Sequence, residues 1–195
     1  MSPAVPSPLR ADAARNRRRI LDVAREVVAA GDLTPSLNDI ARRAGVGVGT
    51  VYRHFADHRA LVEALAVEHL GALVANARAA LEEPDPLVAI ERILRSTLAM
   101  ELSDRSLGAV LASDAAYRER TAAGFAELEH AVAALLARAR AAGVIRPDLT
   151  PQDLQRLICG IEHAVRSGPD QPAAAARYAS VLLAGLCAPP GHRRS

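Results

Sequence analysis

The chain has 195 residues, half of them hydrophobic and only 3% aromatic, with a formal net charge of +2. Its Ala-, Leu- and Val-rich composition favours an all-α protein, and its length suits a small domain plus one of ordinary size, or one elongated helical body. Two cysteines are too few for a disulfide framework, MSPAVPSPLR lacks the apolar core of a signal peptide, and no uninterrupted apolar run reaches the roughly eighteen residues of a membrane span; a cytoplasmic protein with no membrane partner and with buried thiols is expected.

In chain order, Pro3, Pro6 and Pro8 mark residues 1–10 as a disordered arm. A first helix follows from about Ala11 to Ala30, with Ile20, Leu21, Ala24, Val27 and Val28 on one stripe and Gly31 as its stop. Ser36, with Asp39 three residues on, has the spacing of a capping box opening a short helix Leu37–Ala44. A second short helix spans about Val48–His54, and a long one runs from His58 to about Leu81. The break Glu82-Glu83-Pro84-Asp85-Pro86 separates it from a helix carrying Leu87, Ile90, Leu94 and Leu98. A short helix near Arg105–Ala112 comes next, then a long one capped by Asp114 and running through Ala142, with Tyr117, Phe125, Leu128, Val132, Leu135 and Leu136 inward. Gly143 closes it. Thr150-Pro151 gives an N-cap followed by proline at the first helical position, opening a helix that ends at Ser167-Gly168-Pro169. A last helix covers about Pro172–Leu186, and residues 189–195 form a disordered tail. The expected count is about nine helices and no strand.

The stretch Leu37–Leu65 carries the function. Ala41 is small enough for a crossing helix to pass close, Gly45 can take the left-handed conformation that ends the first short helix, and Val46 and Val51 fill the gap between the two. This is a helix-turn-helix, built to place its second helix in the major groove of DNA. Every one of the 24 basic residues is Arg; residues 1–60 hold ten against six carboxylates, residues 61–195 fourteen against sixteen. The basic end thus coincides with the helix-turn-helix, as an electrostatic footprint for nucleic acid should.

The pattern Ile40-Ala41, Ala44-Gly45-Val46, Gly49-Thr50, Tyr52, His54-Phe55 and Leu61 closely resembles the TetR family of transcriptional regulators. The turn Gly143–Leu149 followed by Thr150-Pro151-Gln152-Asp153-Leu154 is similar to that family's entry into its last two helices. The resemblance implies an N-terminal three-helix DNA-binding head (residues 11–57) and a C-terminal helical ligand-binding and dimerisation body (residues 58–188, of which 58–81 is a linking helix). It further implies an Ω-shaped homodimer, an unidentified small-molecule effector and a double-stranded, pseudo-palindromic operator. By the same likeness Thr50, Tyr52 and His54 contact DNA, mostly its phosphates. Two positions depart from the family: Gly47 replaces a capping Ser or Thr, and His58 replaces a phosphate-binding lysine.

Read without the family, Val51 and Phe55 face inward and leave Gly49, Thr50, Arg53 and His54 outside. A start at Val48-Gly49 lets the backbone approach the groove, Arg53 can fork onto guanine, and Tyr52 and Thr50 suit phosphate. Arg15, Arg17, Arg18 and Arg19 form a basic cluster beside them. The DNA-facing candidates are therefore Arg17, Arg18, Ser36, Val48, Gly49, Thr50, Tyr52, Arg53, His54 and His58.

In the body, His69 shares the apolar stripe of Leu65, Ala72 and Leu73, either as a core histidine or as a pocket residue. Glu101 and Glu162 lie on apolar stripes, with Arg166 one turn after Glu162; they are either an internal ion pair or polar anchors of a pocket walled by Met100, Phe125 and Leu128. Leu154, Leu157, Ile158, Ile161, Tyr178, Val181 and Leu182 make the last two helices apolar on more than one face, which suits a four-helix dimer interface. Cys159 and His163 are spaced i,i+4, but two ligands fall short of a metal site, and no metal or cofactor is expected. No HExxH, G-x-S-x-G, P-loop or dinucleotide fingerprint is present, so catalysis is not expected. The expected function is a sequence-specific transcriptional regulator, a repressor released from its operator by a ligand, with an effector-free architectural DNA-binding protein or a metal-responsive regulator as alternatives.

Overall fold

The computed structural model describes residues 8–104, 106 and 115–187. Among them are eight helices: α1 (Pro8–Ala29), α2 (Leu37–Ala44), α3 (Val48–His54), α4 (His58–Leu81), α5 (Pro86–Ser103), α6 (Ala115–Ala141), α7 (Pro151–Arg166) and α8 (Gln171–Leu186). The all-α expectation holds; the described residues contain no strand, only an isolated antiparallel bridge between Ile145 and Cys187. Of the arm expected at residues 1–10, residues 8–10 are helical, while residues 1–7, the short helix near Arg105–Ala112 apart from Ser106, the cap at Asp114, the side chain of Tyr117 and the tail at residues 189–195 lie outside the described residues.

Helix α1 begins three residues before the expected Ala11. Pro8 stands at its first position, where a missing amide hydrogen costs nothing because that donor has no intrahelical acceptor. The turn between α2 and α3 forms as its residues dictate. Gly45 adopts φ 62°, ψ 40°, its amide donates to the Arg42 carbonyl at 3.3 Å, and the Val46 amide donates to that of Ala41 at 3.1 Å. At the start of α2 the expected capping box is absent. Ser36 is the N-cap residue, but its side chain makes no cap hydrogen bond, and the Asp39 carboxylate pairs with Arg42 one turn on.

Two starts are capped by aspartates. Asp57 Oδ1 accepts the Ala60 amide at 2.8 Å, and Asp85 Oδ1 accepts the amides of Leu87 and Val88 at 2.8 and 3.2 Å. Thr150 and Asp153 form the full capping box that opens α7, with Pro151 at the first helical position.

The chain divides into two compact units, Met1–His69 with Asp104–Glu119, and Leu70–Ser103 with Arg120–Ser195. The first unit packs α1, α2 and α3 on one another around Ile20, Leu21, Val28, Ile40, Ala41, Val51, Leu61 and Leu65, all at most 2% exposed. In the second, α5, α7 and α8 pack together, and the core gathers Ala77, Ile90, Leu94, Leu135, Leu136, Ile145, Leu154, Ile158 and Leu186. Arg138 of α6 donates to the carbonyls of Leu81 and Glu83 at 2.7 and 2.5 Å, capping the C-terminus of α4. Gly124 permits close passage of α6 by Leu70, since a Cβ there would meet Leu70 Cδ2 at 2.9 Å.

Helix α4 has the length and apolarity of a membrane span, with a mean hydropathy of 1.4, although its sequence is interrupted by polar residues. Half of that window is buried inside the protein, where Leu61, Leu65, Leu70 and Leu73 serve as core.

Candidate DNA interface

Helix α3 is held from behind. Val51 is fully buried and Phe55, which ends the helix in an extended conformation, is 4% exposed. These two are one turn apart and share one face, and the residues of the opposite face are turned to solvent. Tyr52 is 51% exposed; Val48, Gly49 and Arg53 are exposed, and Thr50 and His54 are half-buried. Around Gly49 there is open space. Gly47 is the N-cap residue with φ −65° and ψ 140°, a conformation any residue adopts, so the glycine removes a side-chain cap without being required by the backbone. Ser36 and His58 are exposed at the first turns of α2 and α4.

The arginines of the head are not equivalent. Among the described residues no carboxylate pairs with Arg53 or with Arg18, and both are exposed. Arg15 pairs with Asp12, and Arg43 lies 3.4 Å from Glu26. Arg17, expected to face DNA, places Nη1 3.0 Å from Glu68 Oε1, with its guanidinium 5.7 Å from the centre of the Phe55 ring. Its partner lies 51 residues away, beyond the reach of local spacing.

His69 belongs to the first unit and is 5% exposed, with Nδ1 3.6 Å from Asp104 Oδ2. The structure thus gives it a partner within the core, the first of the two roles its stripe allowed. Asp104, 4% exposed, also accepts the Ser106 amide at 2.8 Å and lies 3.5 Å from Arg25 Nε. Burial alone would raise its carboxyl, but the contacts with His69 and Ser106 outweigh that and hold it below 3.8.

The other expected pocket residues, Met100, Glu101, Phe125, Leu128, Glu162 and Arg166, belong to the second unit and are half-buried. Arg166 Nε donates to Glu162 Oε1 at 2.5 Å, while Nη2 donates to the carbonyls of Glu101 and Leu102 at 2.7 and 3.1 Å. The Glu162–Arg166 pair expected from spacing is therefore formed, and it ties α7 to the end of α5. Leu128 packs on the apolar core.

The seven apolar residues expected at a dimer interface separate into two sets. Leu154 and Ile158 are 4% and 9% exposed and belong to the protomer's own core, because α5 and α8 cover that face of α7. Leu157 and Val181 are 41% and 66% exposed, with Ile161, Tyr178 and Leu182 half-buried. An open groove of about 390 Å³ runs past Leu157, Val181 and Leu182 to the Arg146–Asp148 ion pair.

Cys159, expected to be buried, is exposed, and Cys187 is intermediate, because α7 buries the stripe Leu154, Ile158 and Val165 and turns residue 159 outward. Partial desolvation, reinforced by Glu101 and Glu162, pushes the Cys159 thiol above its usual range and disfavours the thiolate a metal would need. Among the described residues no three His, Cys, Asp or Glu side chains come together as metal ligands.

Comparison with known proteins matches both halves of the chain. The family model of bacterial regulatory proteins, tetR family, matches residues 20–65, and the model of the transcriptional regulator SbtR-like C-terminal domain matches residues 85–188. A TetR transcription regulatory protein from Mycobacterium vanbaalenii is 34% identical over 92% of this chain and 99% of its own, with a TM-score of 0.67. A TetR transcriptional regulator from Streptomyces coelicolor is 32% identical over 90% and 99%, with a TM-score of 0.68. The transcriptional repressor LfrR of Mycolicibacterium smegmatis is 40% identical over 89 residues, 43% of this chain, so the match spans 44% of that curated relative's length. The structure of LfrR in complex with proflavine is 26% identical over 89% of this chain and 97% of its own, with a TM-score of 0.67.

Proposed function

The chain belongs to the TetR family of transcriptional regulators, and from that premise we propose that it is a homodimeric repressor whose α3 reads a pseudo-palindromic operator and whose helical body binds a small-molecule effector that releases it. The observation that carries this reading is the outward face of α3: Thr50, Tyr52 and Arg53 stand on a helix locked from behind by Val51 and Phe55. Arg53 is free of any carboxylate among the described residues and has the planar fork that matches guanine O6 and N7. Thr50, Tyr52, Ser36 and His58 supply phosphate contacts that set register, with Val48, Gly49 and His54 along the same edge.

Support for the effector comes from the relative LfrR, whose complex holds proflavine. The Arg166 bridge between α7 and the end of α5 is a polar feature of the body that such a ligand can disturb. Release follows if the effector binds better to a head spacing that does not fit two half-sites one helical turn apart. The partner surface in this reading is the exposed part of α7 and α8, Leu157, Ile161, Tyr178, Val181 and Leu182, beside Gly160 and Gly185, around which there is open space. The protein acts in the cytoplasm on DNA and carries out no catalysis.

The test is selection of binding sites from random duplexes at two salt concentrations. A recovered pseudo-palindrome supports the reading, and Arg53→Ala then relaxes specificity at one position per half-site, by about 1–3 kcal/mol. Salt-sensitive binding with no motif favours an effector-free architectural protein, and no binding at all refutes both.

A further inference from the structure

Glu68 of α4 uses each carboxylate oxygen on a different arginine of α1. Oε1 accepts from Arg17 at 3.0 Å and Oε2 from Arg25 at 3.2 Å. Arg25 is held further by Asp22 at 3.2 Å and Asp104 at 3.5 Å, whereas Arg17 has Glu68 as its carboxylate partner and the Phe55 ring beneath it. Two oxygens each taking a guanidinium hydrogen is also the way a DNA phosphate engages arginines. The Arg17–Glu68 pair is 43% and 40% exposed, so little desolvation opposes its opening or closing, and water and phosphate can both reach it. Arg18, the next residue, is exposed and has no carboxylate partner among the described residues.

We propose that Glu68 is a positioning residue that acts as an internal substitute for DNA phosphate: it holds Arg17 on α4 and Phe55, and so keeps the affinity of the head for DNA below what its charge allows. The proposal rests on the DNA-binding reading above. Because Glu68 is on α4 and Arg17 on α1, the state of the clamp follows the register of those two helices. Nothing in the recognition helix has to change for the affinity to change.

The experiment measures binding of full-length protein to a duplex of random sequence by fluorescence anisotropy across a salt series, for wild type, Glu68→Gln, Arg17→Ala and the double variant. Glu68→Gln keeps the side-chain shape and removes the charge. It is expected to bind about three- to tenfold tighter at low salt, with the slope of log affinity against log salt steeper by about 0.9, the increment of one added phosphate contact. Arg17→Ala is then expected to cost at least about threefold more in the Glu68→Gln background than in wild type. Asp32→Asn, which removes an exposed head carboxylate that accepts the Thr34 amide and pairs with no arginine among the described residues, controls for net charge and should leave the slope closer to wild type. Equal costs of Arg17→Ala in both backgrounds, or a slope unmoved by Glu68→Gln, overturn the proposal while wild-type binding still stands. A wild type that binds no duplex overturns the DNA-binding reading and the proposal together. Thermal melts of all variants establish that they are folded.

Discussion

The carboxylate of Asp104 lies 3.6 Å from Nδ1 of His69, with the two side chains 5% and 3% exposed. A carboxylate so buried survives in its charged form because its partners outweigh desolvation, here His69 and Ser106. Its folded value is held below 3.8, so the stability it contributes is present above that pH and lost as pH falls through the lower folded value. Asp104→Asn should therefore cost about 2–3 kcal/mol at pH 7, measured by urea denaturation, because it leaves buried donors without their anion. At pH 3 the gap between variant and wild type should narrow. An equal gap at both pH values refutes the assignment.

Gly45 and Gly47 lie two residues apart and should respond oppositely. At Gly45, φ of 62° strains any side chain, and a Cβ would stand 2.9 Å from Arg19 Nη2. The guanidinium can swing away, so the backbone term dominates, and Gly45→Ala should destabilise by about 1–2 kcal/mol. At Gly47, φ is −65° and the nearest contact to a Cβ is 3.7 Å. Gly47→Ser should raise stability by a few tenths of a kcal/mol, up to about 0.5, by supplying the missing cap. Equal losses from both, by thermal melt, refute this reading.

Much of the head was legible because its signals are local. Gly45 punctuates α2 and the spacing of Val51 and Phe55 sets the inner face of α3; in the body, Thr150-Pro151 opens α7 as spelled. What spacing could not show is competition between partners. Ser36 and Asp39 have the letters of a capping box, yet Arg42, one turn on, takes the carboxylate. Arg17 looks free for DNA until α4 brings Glu68 to it, and His69 looks available until Asp104 arrives from 35 residues away. Asp57 did carry a readable signal, an aspartate before a long apolar pattern, and it caps α4. In the body, hydrophobic stripes identified α7 and α8 as doubly apolar, but only packing decides which face the protomer keeps.

Thr150 and Ser36 are both N-cap residues, and only one bonds as such. The Thr150 hydroxyl accepts the Asp153 amide at 3.1 Å, and the Thr150 amide donates to Asp153 Oδ2 at 3.1 Å. Thr150→Ala should lower Tm by about 2–4 °C. Ser36→Ala removes no cap hydrogen bond and should shift Tm by less than about 1 °C, while weakening DNA binding if the exposed hydroxyl meets phosphate. A larger fall in Tm for Ser36→Ala would show that its hydroxyl caps α2 in solution.

Leu157 and Val181 differ from Leu154 and Ile158 in what their loss should do. The first two stand 41% and 66% exposed on α7 and α8, where the proposed dimer would bury them; the second two are 4% and 9% exposed within the protomer. Placing aspartate at both Leu157 and Val181 puts two charges into any apolar interface there, at a cost no dimer of ordinary size can carry. The double variant should sediment as a monomer with its helical circular dichroism retained, or unfold where wild type is folded if the protomer depends on its partner. Leu154→Ala should instead cost about 2–4 kcal/mol of protomer stability through the cavity it leaves, without changing the sedimenting species at temperatures where it is folded. If the double aspartate variant is folded and sediments as wild type does, this face is not where two copies meet, and the groove between it and the Arg146–Asp148 pair is open to another occupant.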